Sequence, residues 1–189
     1  MEDQRFNPRE LACWDCPPID WYKINFDGAS KGNPGIAGCG IVIRNSIGDN
    51  VGSLAIPIGT QTNHVVEAST ALHGLRYAKK LNLKRIWLEG NSLNIINCLN
   101  KKTTPSWTIS NLIDESIHII NSFELCVISH NFREANGTAD WAANVACSID
   151  QMIIWDTHDP LPLEARHLFH YDKWRSSQKV LYLRFRQYG

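Results

Sequence analysis

The spacing of apolar residues changes period near residue 62, and that change constrains the fold more than any other feature. Before it, residues 22–27, 40–44 and 51–58 read as strands. Residues 22–27 alternate polar and apolar side chains, as a strand with one buried face does. Residues 28–35, rich in glycine, are a loop by composition, and 45–50 are a turn. Three such strands in succession predict an antiparallel meander. Beyond residue 62, apolar side chains fall at 65, 68, 71, 72, 75, 78 and 81, which is helical spacing, with Asn63 as its N-cap.

The alternation then continues to residue 148. A strand is expected at 84–89, a helix at 92–99, a break at 101–105 and a helix at 109–120. A strand at 124–130, a loop at 131–136 and an alanine-rich helix at 138–148 complete the order βββ-α-β-α-α-β-α. This order predicts an α/β fold: a five-stranded mixed sheet with helices on both faces. The chain of 189 residues suits one domain with short extensions. We place an N-terminal arm at 1–20, the domain at 21–148 and a C-terminal basic and aromatic extension at 149–189.

Charge excludes some functions. With 19 basic and 19 acidic side chains the formal net charge is zero, which argues against a binder working by bulk charge. No apolar run is long enough to span a membrane, and the start has no apolar core, so an intracellular protein, nuclear or cytoplasmic and not secreted, is expected. Of six cysteines, Cys13 and Cys16 are spaced as a metal pair would be, but no second pair or nearby histidine follows; reduced thiols are expected. The charge is also uneven. Residues 1–27 hold three basic and six acidic side chains, and residues 164–189 hold six basic and two acidic. The basic tail is interleaved with Phe169, Tyr171, Trp174, Tyr182, Phe185 and Tyr188. Such a tail either grips nucleic acid by charge and stacking or packs its rings on the domain with its charges outward.

The candidates for chemistry sit where strands end and helices begin. Asp27 closes the first strand. Glu67 falls in the first turn of the long helix and Asp140 in that of the last helix. Asn91 follows the fourth strand. Singly, each has a structural explanation: a turn former, a charge complementing a helix dipole, a cap. Jointly, the run from Asp27 to Gly35 with Gly38-Cys39-Gly40 resembles the opening of the ribonuclease H fold. Asn63 with Glu67, the run from Leu88 to Ser92, and His130 with the run from Arg133 to Asp140 resemble its later motifs. The resemblance covers residues 21–148 and is closest to plant ribonuclease H-like domains related to non-LTR retroelement polyproteins.

That resemblance implies hydrolysis of the RNA strand of RNA/DNA hybrids by a two-metal mechanism. One Mg²⁺ activates water and the other stabilises the leaving oxygen, with Mn²⁺ as the alternative metal. It assigns Asp27, Glu67 and Asp140 as metal ligands. It makes His130 a helper in proton transfer or product release. It places Gly28, Ser30, Lys31, Asn33, Asn63 and Asn136 on the nucleic acid. The family usually carries aspartate where this chain has Asn91, a neutral amide, so weaker metal binding and weakened catalysis are expected. Glu89, two residues earlier, is not counted as a replacement ligand. The rivals are a non-catalytic nucleic-acid-binding module on the same scaffold, and a protein-interaction domain with Trp14, Trp155 and Trp174 on its extensions as anchors.

Overall fold

The computed structural model describes residues 13–156 and 158–187, apart from the side chains of 178 and 180–187. Most of the acidic arm, Tyr188, and the side chains of Tyr182 and Phe185 lie outside the described residues. Six strands form one sheet in the order β5-β4-β1-β2-β3-β6. The strands β1 (Tyr22–Gly32), β2 (Gly35–Arg44) and β3 (Asn50–Gln61) form the expected antiparallel meander. Next to β1 lies β4 (Arg85–Gly90), parallel to it, and β5 (Leu125–His130) extends the parallel edge.

Two differences from the sequence reading concern strands. Residues 28–32 and 35 are not a loop: β1 and β2 stay paired down to Gly32 opposite Gly35, around a tight Asn33-Pro34 tip. Glycine weakens a strand in general, but here the missing side chains make room for helices. A Cβ on Gly40 would collide with the backbone of Ala139 and Ala143, and one on Gly28 would lie 2.7 Å from Val66 Cγ1. The sheet also gains β6 (Ile153–Trp155), antiparallel to β3 and three residues long, too short to leave a periodic signal.

The helices are α1 (Asn63–Lys80), α2 (Leu93–Leu99), α3 (Ser110–Ile120), α4 (Gly137–Ala146) and α5 (Leu163–Gln187). Thr62, not Asn63, occupies the N-cap position of α1, and its side chain makes no capping bond. The β1–β2 tip fills that role: the backbone N–H of Asn63 donates to Asn33 Oδ1 at 3.1 Å. Because alternate residues of a strand point to opposite faces, Ile24 and Phe26 join Ile41, Ile43, Leu75, Ile86, Leu88 and Ile95 in the larger core, where α1 packs. On the other face, Val42, Ala55, Ala146, Trp155, Leu161, Ala165 and Phe169 form a second cluster under α4 and α5.

Both extensions close onto this second face. Trp14 is fully buried and its indole N–H donates to Asn25 Oδ1 at 2.8 Å. Arg44, also fully buried, pairs with Asp172 of α5 at 2.7 Å and lies over the Trp14 and Phe169 rings. Trp14 and Trp155 are therefore core residues and are not presented to a partner, whereas Trp174 is exposed. The six cysteines are unpaired. Among the described residues no helix is long and apolar enough to cross a membrane.

Candidate active site

Four elements deliver polar side chains to one open cleft of about 350 Å³, lined by Asp27, Gly28, Ala29, Ser30, Asn63, Glu67, Asn91, Arg133, Asp140 and Asn144. Strand β1 places Asp27 on the face opposite the main core, in register with Gly40 of β2. Helix α1 brings Glu67 in over Gly28. Glu67 lies one turn inside the helix, not in its first turn, which holds no acid. Asn91 follows β4, whose parallel pairing with β1 sets Gly90 beside Phe26. Helix α4 carries Asp140 in its first turn.

The carboxylates face each other with little to neutralise them. Burial pushes Asp27 up to about 7, with the charge of Asp140 adding to it. The Asn91 amide, donating to Asp27 Oδ2 at 3.2 Å, works against the rise. Burial pushes Glu67 up to about 8, and Asp27 adds to that. Glu67 Oε2 is buried and has no hydrogen-bond partner. Asp140 is placed differently. Its Oδ1 accepts from Arg133 at 2.7 Å and its Oδ2 from Asn144 at 3.2 Å.

Repelling buried carboxylates and an orphaned carboxylate oxygen fit a hard divalent cation, which takes oxygen ligands. Asp27, Glu67 and Asp140 could supply oxygen donors to such a cation. Among the described residues no three acidic, histidine or cysteine side chains already stand at ligating distance. The Asp140 carboxylate is held by Arg133 and Asn144 and would have to turn from them, or share its oxygens, to join such a set.

Other expected residues fall in several places. Gly28, Ser30 and Asn63 line the cleft. Lys31 reaches the far end of α4 instead, where it donates to Ser148 at 3.2 Å, and Asn33 braces α1. Asn136 is fully buried and its amide N–H donates to the Phe26 carbonyl at 2.9 Å, so it anchors the loop rather than facing nucleic acid. The same amide group suits a buried anchor and a surface contact equally, which is why composition did not separate them. His130 ends β5 and is not on a loop. Its ring nitrogen lies 3.1 Å from the Asn91 carbonyl and it is not among the residues lining the cleft. Glu89 is buried and accepts from Lys23, Asn25, Ser129 and Asn131, which leaves it no role as a ligand. Arg133 and Asn144 were missed as site residues. The signal for Asn144 was its position four residues after Asp140, one helical turn away.

Residues 25–146 match a family model described as reverse transcriptase-like. This is well over half of the chain, and the match begins two residues before Asp27 and ends after Asp140. The chain is a ribonuclease H-like domain of that family. An Arabidopsis thaliana protein named as a putative ribonuclease H protein is 35% identical to this ribonuclease H-like domain over 136 residues, 72% of the chain. The chain spans only about a fifth (22%) of that relative's length. The solved structure of RNase H1 from the halophilic archaeon Halobacterium salinarum superposes with a TM-score of 0.65 at 28% identity, covering 68% of this chain and 98% of that one. LC11-RNase H1, solved in complex with an RNA/DNA hybrid, superposes with a TM-score of 0.63 at 26% identity, covering 67% and 96%. Both structural matches leave about a third of the ribonuclease H-like chain uncovered.

Proposed function

We propose that the cleft is a divalent-metal nuclease centre that hydrolyses the RNA strand of RNA/DNA hybrids, and that Asn91 weakens it. One observation carries this reading: Asp27, Glu67 and Asp140, from three separate elements, converge with Asn91 on a single cleft. The likeness to RNase H1 enzymes, one of them solved with a hybrid, supports the substrate class.

Asp27, Glu67 and Asp140 would hold Mg²⁺, with the Asn91 amide oxygen as a neutral fourth donor. The bound metal supplies positive charge that activates water and stabilises the oxygen leaving phosphorus. Every remaining step falls to the chain. Ionised Asp27 and Glu67 provide the negative charge that draws the metal in. Ser30, Asn63 and the backbone at Gly28 offer polar groups at the cleft wall, suited to the 2′-hydroxyls that distinguish RNA from DNA. His130 holds the Asn91 carbonyl, so it positions the weakened ligand rather than meeting the substrate.

Asn91 favours the second reading, a binder that does not cut. Its amide now donates to Asp27, so it acts as a partial replacement for a counter-ion. Cleavage of a labelled RNA/DNA hybrid in Mg²⁺ and in Mn²⁺ by wild type, Asn91→Asp and Asp27→Asn decides between them. Slow cutting by wild type, faster cutting by Asn91→Asp and none by Asp27→Asn is expected. Cutting by Asn91→Asp alone assigns the natural chain to binding. If neither cuts, the nuclease reading falls.

A further inference from the structure

We infer that α5 is a working part of the cleft: through Asp172 and Arg44 it sets where Asp140 stands against Asp27, which makes Asp172, Arg44 and Thr138 positioning residues. The inference rests on the reading of the cleft as a metal centre. The first turn of α4 carries Asp140 and has little to hold it from within. Its N-cap residue, Asn136, makes no side-chain capping bond, and the helix opens on Gly137, a residue type that loses more freedom on folding than any other. Two tethers from the sheet hold the turn instead. The Asn136 amide donates to the Phe26 carbonyl at 2.9 Å, one residue before Asp27. Arg44 Nη2 donates to Thr138 Oγ1 at 3.3 Å, two residues before Asp140, and both side chains are buried.

Arg44 cannot hold that place by itself. It ends β2, is fully buried, and a buried cation needs a partner. Asp172 of α5 is that partner, accepting from Arg44 Nη1 at 2.7 Å. The Nη2 that reaches Thr138 also donates to Asn25 Oδ1 at 3.1 Å, and Asn25 lies two residues before Asp27 on β1. A guanidinium is planar and its donors point in fixed directions. Holding one nitrogen on Asp172 therefore aims the other between Asn25 and Thr138. The link from α5 ends two residues short of both Asp27 and Asp140. The other arm of the same network ends alike: Glu89 accepts from Asn25 and from Asn131 and stands two residues before Asn91. Apolar side chains of similar volume would fill this space as stably, but they would not fix a direction. Asp172 lies outside residues 25–146, so this support for the cleft comes from the C-terminal extension.

Two measurements on the full chain test this: Mn²⁺ affinity by calorimetry, and native-state hydrogen exchange in EDTA, which needs neither metal nor cleavage. Thr138→Val keeps the side-chain volume and leaves Arg44 its bonds to Asp172 and Asn25, but removes the acceptor. Groups that orient metal ligands from behind carry roughly tenfold to a hundredfold in metal affinity. Thr138→Val should therefore weaken Mn²⁺ binding about tenfold. It should also speed exchange of the Ala139 and Asp140 amides, which donate to the Asn136 carbonyl, while core amides of β1 and β2 exchange as in wild type. Thr138→Ser should restore both. Asp172→Asn should reproduce both effects from α5, with the α4 amides sped more than the core. Where that variant does not fold, Arg44→Lys, which keeps the charge and loses the fork, takes its place. Residues acting in series do not add, so Thr138→Val with Asp172→Asn should bind about as weakly as either alone. Mn²⁺ affinity of Thr138→Val within about twofold of wild type, no rescue by Thr138→Ser, or losses that multiply in the double variant each overturn the proposal. Wild type that binds no Mn²⁺ defeats the metal reading, and the exchange in EDTA then decides the positioning by itself.

Discussion

Arg133 and Asp140 show how much of the site depends on single side chains. Arg133 is 74% exposed on its side chain, yet it holds the Asp140 carboxylate at 2.7 Å and lowers the pKa of both Asp27 and Glu67 by its charge. It is a tethered cation standing where a metal's charge would act. An exposed pair of this kind contributes about 0.2–1 kcal/mol, so its removal should help metal binding modestly. Arg133→Gln is expected to tighten Mn²⁺ binding by roughly twofold to fivefold, read by calorimetry, and Arg133→Lys to stay near wild type. Equal or weaker binding by the glutamine variant would show that Arg133 does not compete with the metal. At this scale the three carboxylates were legible through the motifs that surround them and not through position alone: Asp140 does open its helix, but Asp27, expected to close the first strand, lies inside β1, which runs on to Gly32, and Glu67 lies one turn inside α1. Arg133 was not legible. Its role depends on a 3-10 turn at Arg133–Ala135 that aims it back at α4, a geometry with no periodic signature.

Elements carry a different lesson. The strand and helix order was readable because burial on one face imposes a period of two or 3.6 residues. The terminal extensions impose no such signal, yet they supply part of the second face. Arg44 links them: it donates to Asp172 of α5 and to Asn25, and stacks on Trp14 of the arm. Asn25 in turn donates to Glu89, which Lys23 also contacts. Burial lowers the pKa of Arg44 and raises that of Asp172, so desolvation outweighs their mutual attraction. Such a pair adds little beyond an apolar contact, but deleting one partner strands the other and costs about 3–5 kcal/mol. Asp172→Ala should therefore lower the stability of the whole domain by about 3 kcal/mol in urea unfolding, with the loss seen equally by a probe in α1. Trp14→Ala should cost a similar amount, about 3–5 kcal/mol, through the cavity it leaves. A loss confined to α5, with the rest of the domain unfolding as in wild type, would show that the extension is an appendage.

For the whole molecule, the cleft couples metal, proton and stability. Asp27 and Glu67 have unfolded values of 3.8 and 4.5 and rise on folding to about 7 and about 8. Well below pH 3.8 both groups are protonated in either state and folding costs nothing on their account. As pH rises past these unfolded values the unfolded chain ionises first, and stability is lost. The loss grows until pH passes the folded values and is constant above them. A tenfold difference in proton affinity between the folded and unfolded chain is worth about 1.4 kcal/mol, so in EDTA the folded protein should lose several kcal/mol between pH 5 and pH 8. A divalent cation reverses the sign of the environment, since the ionised form then gains a partner. Millimolar Mg²⁺ should raise the melting temperature most at pH 8 and little at pH 5. Other carboxylates contribute to the same curve, and Glu67→Gln isolates this one. At pH 8 in EDTA the glutamine variant should melt above wild type, and on adding Mg²⁺ it should gain less. A variant that melts below wild type at pH 8 without metal would show that Glu67 is accommodated in the cleft by something other than a cation. The charge that weakens the fold in EDTA would then no longer be the charge that recruits the metal.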